Sequence, residues 1–239
     1  MITFAKKSPA PPVAGTIRAA VLVWVVAAAL PGAAAGAGGG DLRELRVARL
    51  HYDGGGDWYC NPSSLPNWLD LFFQRTGLPT ADTEAVVTLD SEDLYQYPLL
   101  YLSGHGRIAF AEPQLASLRR YLDAGGFLFA DDNCGLDDSF RAMVAQLYPD
   151  QDLVPLPDSH PIYRAFYDLP GLPKIHQHDG EPAQGFGVVS GGRLVLFYAW
   201  SADIGDGLED ADVHGDPPHV REAAARMAVN VMMYALTHP

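Results

Sequence analysis

Residues 126–135 read GFLFADDNCG, and this stretch decides how the chain is expected to fold. Residues 127–130 are apolar and uncharged, which is typical of a strand buried on both faces. Asp131 and Asp132 follow at once, and a helix-like stretch begins soon afterwards. In open α/β sheets, ligands bind at the edge where the carboxyl ends of the strands meet. The pattern therefore predicts a polar site at the end of this strand.

Two further strands are expected to end at the same edge. Residues 99–103 run into Gly104-His105-Gly106, and residues 45–52 run into the glycine-rich loop 53–58. The three loops should line one crevice, where polar side chains face one another or a ligand. Across the chain, the candidate catalytic residues are His105, Asp131 and Cys134, and the candidate ligand-binding residues are Asp53, Gly54, Gly55, Asp57, Trp58, Asp132 and His160.

Strands that alternate with helices predict a mainly parallel sheet covered by helices on both faces. Residues 193–200 form one more expected strand, and residues 149–187, rich in Pro, Gly and His, an irregular excursion with room for one short strand pair. Apolar residues at helical spacing predict helices at residues 65–75, 112–124, 140–147 and 224–236, the third with its cap at Asp137, Asp138 or Ser139.

The first residues have the layout of a secretory signal peptide. Basic residues precede an uncharged apolar core at residues 19–30, and small-residue cleavage sites follow near Ala35 and Ala37. This core is shorter than the roughly 20 residues of a membrane-spanning helix, although an uncleaved anchor extended through the Ala/Gly run is the alternative. The expected divisions are a signal peptide at residues 1–37, a linker at 38–44 and an α/β domain at 45–239. We therefore expect export to the periplasm or cell envelope, with no stable membrane span after processing.

Charge and cysteine content narrow the range of partners. The net charge of −13 disfavours a nucleic-acid partner, because phosphate binding needs a basic surface. Cys60 and Cys134 could form a disulfide in an oxidising compartment, or each could serve a site at a strand end. Neither the cofactor nor the metal content is decided by the sequence.

The predicted crevice has two interpretations. One aspartate with His105 could bind a metal or act as an acid/base pair, whereas a capping aspartate and a structural histidine are the alternative. Asp131 and Asp132 should point to opposite sides of the strand, so only one faces the crevice. Cys134 could be a nucleophile if a helix N-terminus lowered its pKa, with His160 as its base.

Two other groups of residues could bind metal. His176 and His178 would share one face of a strand, which makes a usable metal pair but an incomplete zinc site. A downstream loop contains several carboxylates at short spacing, which could bind Ca²⁺. It lacks the residue spacing of a calcium-binding loop, so we expect it to be solvated. Its members are Asp203, Asp206, Glu209, Asp210 and Asp212.

Several motifs together resemble a known family over nearly all of residues 45–237. The chain resembles the bacterial domain-of-unknown-function family 4159, which itself looks like a branch of the class I glutamine-amidotransferase-like superfamily. The resemblance implies a flavodoxin-like three-layer sandwich. The motifs are YDGGGDWY at residues 52–59, NPSSLPN at 61–67, SGHG at 103–106, YL at 121–122 with GGF at 125–127, DD at 131–132, SHPI at 159–162 and DIGDG at 203–207.

The resemblance does not carry the amidotransferase activity with it. Those enzymes place a nucleophilic cysteine in a Gly-x-Cys-x-Gly turn, but the comparable turn at residues 103–107 contains no cysteine. Their His-x-Glu pair is also missing, since His219 and Glu222 are spaced differently. The sequence therefore favours an exported accessory domain that binds a small ligand or an envelope protein, without glutaminase activity. The alternative is a hydrolase, with or without a metal, that uses His105 and Asp131.

Overall fold

The computed structural model describes residues 44–176 and 180–239. The expected signal peptide and all but the last residue of the expected linker lie outside this range, as does His178. Within it, no helix is both long and apolar enough to cross a membrane.

The described residues form a mixed α/β structure around a seven-stranded sheet, in the order β2-β1-β3-β4-β7-β6-β5. The first five strands in this order are parallel, and β6 and β5 extend the sheet in antiparallel fashion. The prediction of a mainly parallel sheet is confirmed. The strands are β1 (Ala48–Leu50), β2 (Ala85–Val87), β3 (Leu99–Gly104), β4 (Phe127–Asp132), β5 (Val154–Pro155), β6 (Gln184–Ser190) and β7 (Arg193–Trp200).

Helices cover both faces of the sheet. Alternate residues of β4 point to opposite faces, so Phe127 and Phe129 join one apolar cluster while Leu128 and Ala130 join another. The first cluster includes residues of α1 and α4, and the second includes residues of α2 and α3. The four helices are α1 (Ser64–Thr76), α2 (Glu112–Asp123), α3 (Asp137–Leu147) and α4 (Pro218–Thr237).

Some helix ends follow local sequence signals and others do not. Helix α1 ends at Gly77, whose φ of 74° is the left-handed conformation that glycine adopts easily. Helix α3 begins three residues before the expected range of 140–147, and its N-cap is Leu136, which makes no side-chain capping bond. Asp137 and Asp138 lie in the first turn instead, where their negative charges interact favourably with the positive end of the helix dipole.

The excursion between β4 and β7 contains the expected strand pair, formed by β5 and β6. Strand β6 also pairs with β7 along its whole length, which the sequence pattern did not indicate. The reason is its glycine content. A side chain at Gly185 would collide with the Tyr163 hydroxyl, and one at Gly187 would collide with Leu194. Close packing thus requires residues that weaken a strand signal.

Candidate functional site

The three loops predicted to meet at the carboxyl edge do meet there. The backbone N–H of Gly56 donates to the carbonyl of Arg107 at 2.9 Å, and that of Gly106 donates to the carbonyl of Cys134 at 3.0 Å. Gly54 has a φ of 115°, and a Cβ there would collide with the backbone at Ile108 and Ala109. Gly54 therefore lets two loops approach closely, while a Cβ at Gly55 would meet nothing within 4 Å.

Within these loops, His105 pairs with Asp57. Its Nδ1 atom lies 3.1 Å from Asp57 Oδ2, and its backbone N–H donates to the same carboxylate. The pair faces solvent, since the His105 side chain is 49% exposed and that of Asp57 is 34% exposed. The carbonyl of Asp53 accepts a hydrogen bond from Ala109. Trp58 stacks on His51 with ring centroids 4.2 Å apart.

The two cysteines are free thiols in different surroundings. Burial raises the pKa of Cys60 to about 12, with the nearby Asp57 charge adding to the effect, so this thiol stays protonated at neutral pH. Cys134 is exposed, and the predicted disulfide alternative is not the arrangement observed. Asp57, Cys60 and His105 lie close enough to share a metal ion, although a protonated thiol is a poor ligand.

Asp131 is fully buried and binds a different loop. Its carboxylate accepts hydrogen bonds from the backbone of Ile204 at 3.0 Å and Gly205 at 2.6 Å, and from the Tyr101 hydroxyl at 3.2 Å. Burial raises its pKa to about 7, although the two backbone hydrogen bonds act in the opposite direction. The structure therefore gives Asp131 and His105 separate partners and does not bring them together as an acid/base pair.

Asp132 pairs with Gly104 in the sheet and so lies beside the His105 turn, whereas His160 lies elsewhere. Asp132 accepts from the backbone of Ser201, consistent with a side chain on the opposite face from Asp131. His160 caps a short 3₁₀ helix, and its ring lies 5.8 Å from that of Tyr234. Since Tyr234 contacts Phe127, the first residue of β4, His160 lies towards the amino edge of the sheet.

A group of buried polar contacts surrounds Asp206. Its Oδ1 atom accepts from the side-chain amides of Asn61 at 2.5 Å and Asn133 at 3.2 Å. Its Oδ2 atom lies 2.8 Å from His176 Nδ1. On the far side of this imidazole, Nε2 lies 3.0 Å from Asp216 Oδ1. Asp206 thus connects loops that follow β1, β4 and β7, together with the excursion.

Most of the chain matches the model of one protein family. The model for the domain of unknown function DUF4159 matches residues 46–236. The chain belongs to the DUF4159 family. No curated protein matches it. Within this DUF4159 domain, Asn61, Asn133 and Asp206 bring together three of the loops that the motifs occupy.

The acidic loop of the DUF4159 domain corrects one expectation. We expected a solvated loop, but Asp203, Asp206 and Glu209 are each at most 5% exposed, and only Asp210 and Asp212 face solvent. Glu209 accepts hydrogen bonds from both the backbone and the hydroxyl of Ser63. Burial raises the pKa of Asp203 to about 8, and the charges of Asp131 and Asp206 raise it further. These three buried carboxylates lie in the interior of the candidate site.

Sequence reasoning named these carboxylates as a possible calcium loop but did not place them at the carboxyl edge, for an identifiable reason. The edge rule was applied to the loops after β1, β3 and β4, but the loop at residues 201–216 follows β7. Strand β7 lies beside β4 in the sheet, so its loop reaches the same edge. The family motif DIGDG at residues 203–207 was the available signal, but glycine and aspartate content gave it the appearance of a surface loop.

A cavity of about 530 Å³ lies beside this network, between α1 and α4. It shares Asp216 with the His176 contact, and Leu71, Leu208 and Ala225 supply apolar lining. Polar groups around it include Asn67, Asp70, Gln74, Arg75 and Arg221. A cavity of this size and mixed lining lies within the range of small-molecule sites.

Proposed function

We propose that this DUF4159 domain is an exported accessory domain of the cell envelope that binds a small ligand or partner at the carboxyl edge of its sheet, without glutaminase activity. The observation that carries the proposal is the buried polar network around Asp206. Buried carboxylates are costly, and apolar residues would stabilise a purely structural edge at lower cost. Perturbed acidic groups that cluster at one edge are typical of a functional site.

The neighbouring cavity supports a small ligand. It combines apolar lining with amide, carboxylate and guanidinium groups, which can hold and orient a polar molecule. Its connection to the network through Asp216 would place a bound molecule beside His176.

We also propose that the fold is flavodoxin-like and related to the amidotransferases. The five parallel strands follow the order β2-β1-β3-β4-β7, and this order corresponds to 2-1-3-4-5 when the parallel strands alone are numbered. The surroundings of the two thiols argue against the cysteine-dependent chemistry of the amidotransferases. Cys60 is held protonated by burial, and Cys134 is exposed at the end of a different strand from the glycine turn of His105.

Ligand binding can be tested by thermal denaturation with a panel of monosaccharides, amino acids, nucleotides and peptidoglycan fragments. We expect at least one class to raise the melting temperature of the wild-type protein. Gln74→Trp, an exposed change at the cavity, should remove this increase, while Ala116→Trp on the exposed face of α2 should retain it. Equal protection of both variants, or no protection of the wild type by any member, would contradict the proposal.

Export and the absence of glutaminase activity need separate measurements. N-terminal sequencing of protein from the periplasmic fraction should find cleavage after Ala35 or Ala37. An intact Met1 on membrane-bound protein would contradict export with processing. Ammonia release from glutamine should stay at the level of a no-enzyme control, and Cys134-dependent release would contradict this part.

A hydrolase remains the second candidate because His105 is oriented by a carboxylate. The Asp57–His105 pair has the geometry of a base and its orienting group, whereas the expected partner Asp131 is bound to other residues. Screening with chromogenic carboxylate and phosphate esters would test this candidate. It requires turnover by the wild type that is lost in His105→Ala, and turnover that persists in the variant would exclude His105 as the base.

A further inference from the structure

His214 faces two carboxylates without reaching either of them. Its Nε2 atom lies 4.0 Å from Asp206 Oδ2 and 3.9 Å from Glu209 Oε2, distances too long for hydrogen bonds. Its ring packs edge-on against His176 with the centroids 4.9 Å apart. The two imidazoles and the Asp206 carboxylate therefore lie around one point, and Glu209 lies beside His214.

The ligand atoms are close to the geometry of a metal site. One atom from each of His176, Asp206 and His214 can be chosen so that all lie within 4.8 Å of one another. Zinc binds histidine nitrogen at about 2.0–2.1 Å, so neighbouring ligand atoms in a tetrahedral site lie roughly 3.3 Å apart. A shift of roughly 1 Å or less would bring His214 Nε2 to that spacing from Asp206 Oδ2. His214 can make such a shift because its side chain is 29% exposed.

The far side of His176 has the second shell that metal-binding histidines require. Asp216 lies 3.0 Å from His176 Nε2, where its carboxylate can accept a hydrogen bond from that nitrogen. In the tautomer with the hydrogen on Nε2, the other nitrogen, Nδ1, which faces Asp206, can bind a cation. The same carboxylate–histidine order orients ligands in many zinc sites.

The local charge also favours a cation. Asp131, Asp203 and Glu209 are buried near Asp206. Lys174 lowers the pKa of Asp203, whereas the charges of Asp131 and Asp206 raise it. Arg221 donates to the carbonyl of Glu209 and not to its carboxylate. A divalent ion would offset the repulsion that this arrangement creates in a region of low dielectric constant.

From these features we infer that His176, Asp206 and His214 bind one divalent transition-metal ion. Two imidazoles with carboxylates suit Zn²⁺, Mn²⁺ or Fe²⁺ better than Mg²⁺ or Ca²⁺, which prefer oxygen ligands alone. The inference rests on the proposed function, because the ion would be the group at the carboxyl edge to which the small ligand coordinates.

The test uses Zn²⁺ alone, titrated into chelator-treated protein by calorimetry. The wild type should bind one equivalent, and His214→Gln should bind at least about 100-fold more weakly. His214 makes no hydrogen bond to any described residue, so this variant should keep the melting temperature of the metal-free protein. His219→Gln, at an exposed position near the start of α4, should bind as the wild type does.

The outcomes separate this inference from the proposed function. Lack of zinc binding by the wild type, or equal binding by His214→Gln, would overturn the metal site. Loss of binding in His105→Gln with retention in His214→Gln would also overturn it, by moving the ion to the Asp57–Cys60–His105 group. Protection by the small-molecule panel in the presence of chelator would leave the proposed function standing. Zinc binding without protection by any small molecule would support the metal site alone.

Discussion

Two histidine–carboxylate pairs lie at the carboxyl edge of the sheet, and burial makes them different. In the pair between His105 and Asp57, the two atoms are 3.1 Å apart and the side chains are 49% and 34% exposed. In the pair between His176 and Asp206, the atoms are 2.8 Å apart and the side chains are 18% and 6% exposed. Water screens the first pair, whereas the second interacts at a lower dielectric constant.

The pairs also differ in what their carboxylates hold together. Both hydrogen bonds to the Asp57 side chain come from His105, so the contact joins two loops only. Asp206 accepts from Asn61 and Asn133 as well as contacting His176, and these residues lie in three separate segments. The same residue types thus form a local surface contact in one place and a connecting centre in the other.

The largest expected effect is that of Asp206→Ala. It would leave the buried amides of Asn61 and Asn133 without an acceptor, and each such group costs about 1–3 kcal/mol. We expect the free energy of unfolding in metal-free protein to fall by about 3 kcal/mol or more. Urea denaturation followed by tryptophan fluorescence measures this change. Asp57→Ala is the matched control, and an equal loss in both variants would remove the distinction between the two pairs.

The pH dependence of stability should be the next largest effect. Burial raises the pKa of Asp203 to about 8 and that of Asp131 to about 7, above the value near 4 of an unfolded chain. The folded protein therefore holds protons that the unfolded chain releases, and stability should fall as pH rises from about 4 to 8. We expect metal-free protein to lose on the order of 2 kcal/mol between pH 5 and pH 8.

Asp203→Asn isolates this contribution, because an amide does not titrate. Relative to the variant, the wild type should have a lower free energy of unfolding at pH 8 than at pH 5. A constant difference between pH 5 and pH 8 would show that Asp203 keeps an ordinary pKa.

The smallest expected effect is that of His105→Ala. Exposed ion pairs contribute about 0–1 kcal/mol, so the melting temperature should change by only a few degrees. Calorimetry of the variant beside His176→Ala provides the comparison. Equal destabilisation by the two substitutions would mean that the His105 turn is as important to the fold as the Asp206 network.

Most of the fold could be predicted because local signals agree with it. Apolar runs marked β3, β4 and β7, and helical spacing marked α1 to within a residue at each end. Strand β6 was not predicted, because it contains Gly185 and Gly187 where large side chains pack closely, and glycine weakens the strand signal. The expected cap of α3 was wrong because Leu136 already occupies that position.

Less of the candidate site could be predicted, since it depends on which strands are neighbours. The meeting of the loops after β1, β3 and β4 followed from the edge rule, but the place of β7 beside β4 is a long-range property of the sheet. His105 and Asp131 were grouped because both follow strands, yet hydrogen bonds direct them to Asp57 and to the loop after β7. The spacing of these residues along the chain does not determine which hydrogen-bond partners they have.

The Asp206 network also has a consequence for the order of events during folding. The contact between Asn61 and Asp206 spans 145 positions, and Asp216 lies further along the chain. Contacts of such long range close slowly, because large loops must lose conformational freedom before the contact forms. A chain emerging from the ribosome can pair β1 with β3 early, but it cannot assemble the Asp206 network until residue 216 is free. Completion of this network is thus a late event in the folding of the protein.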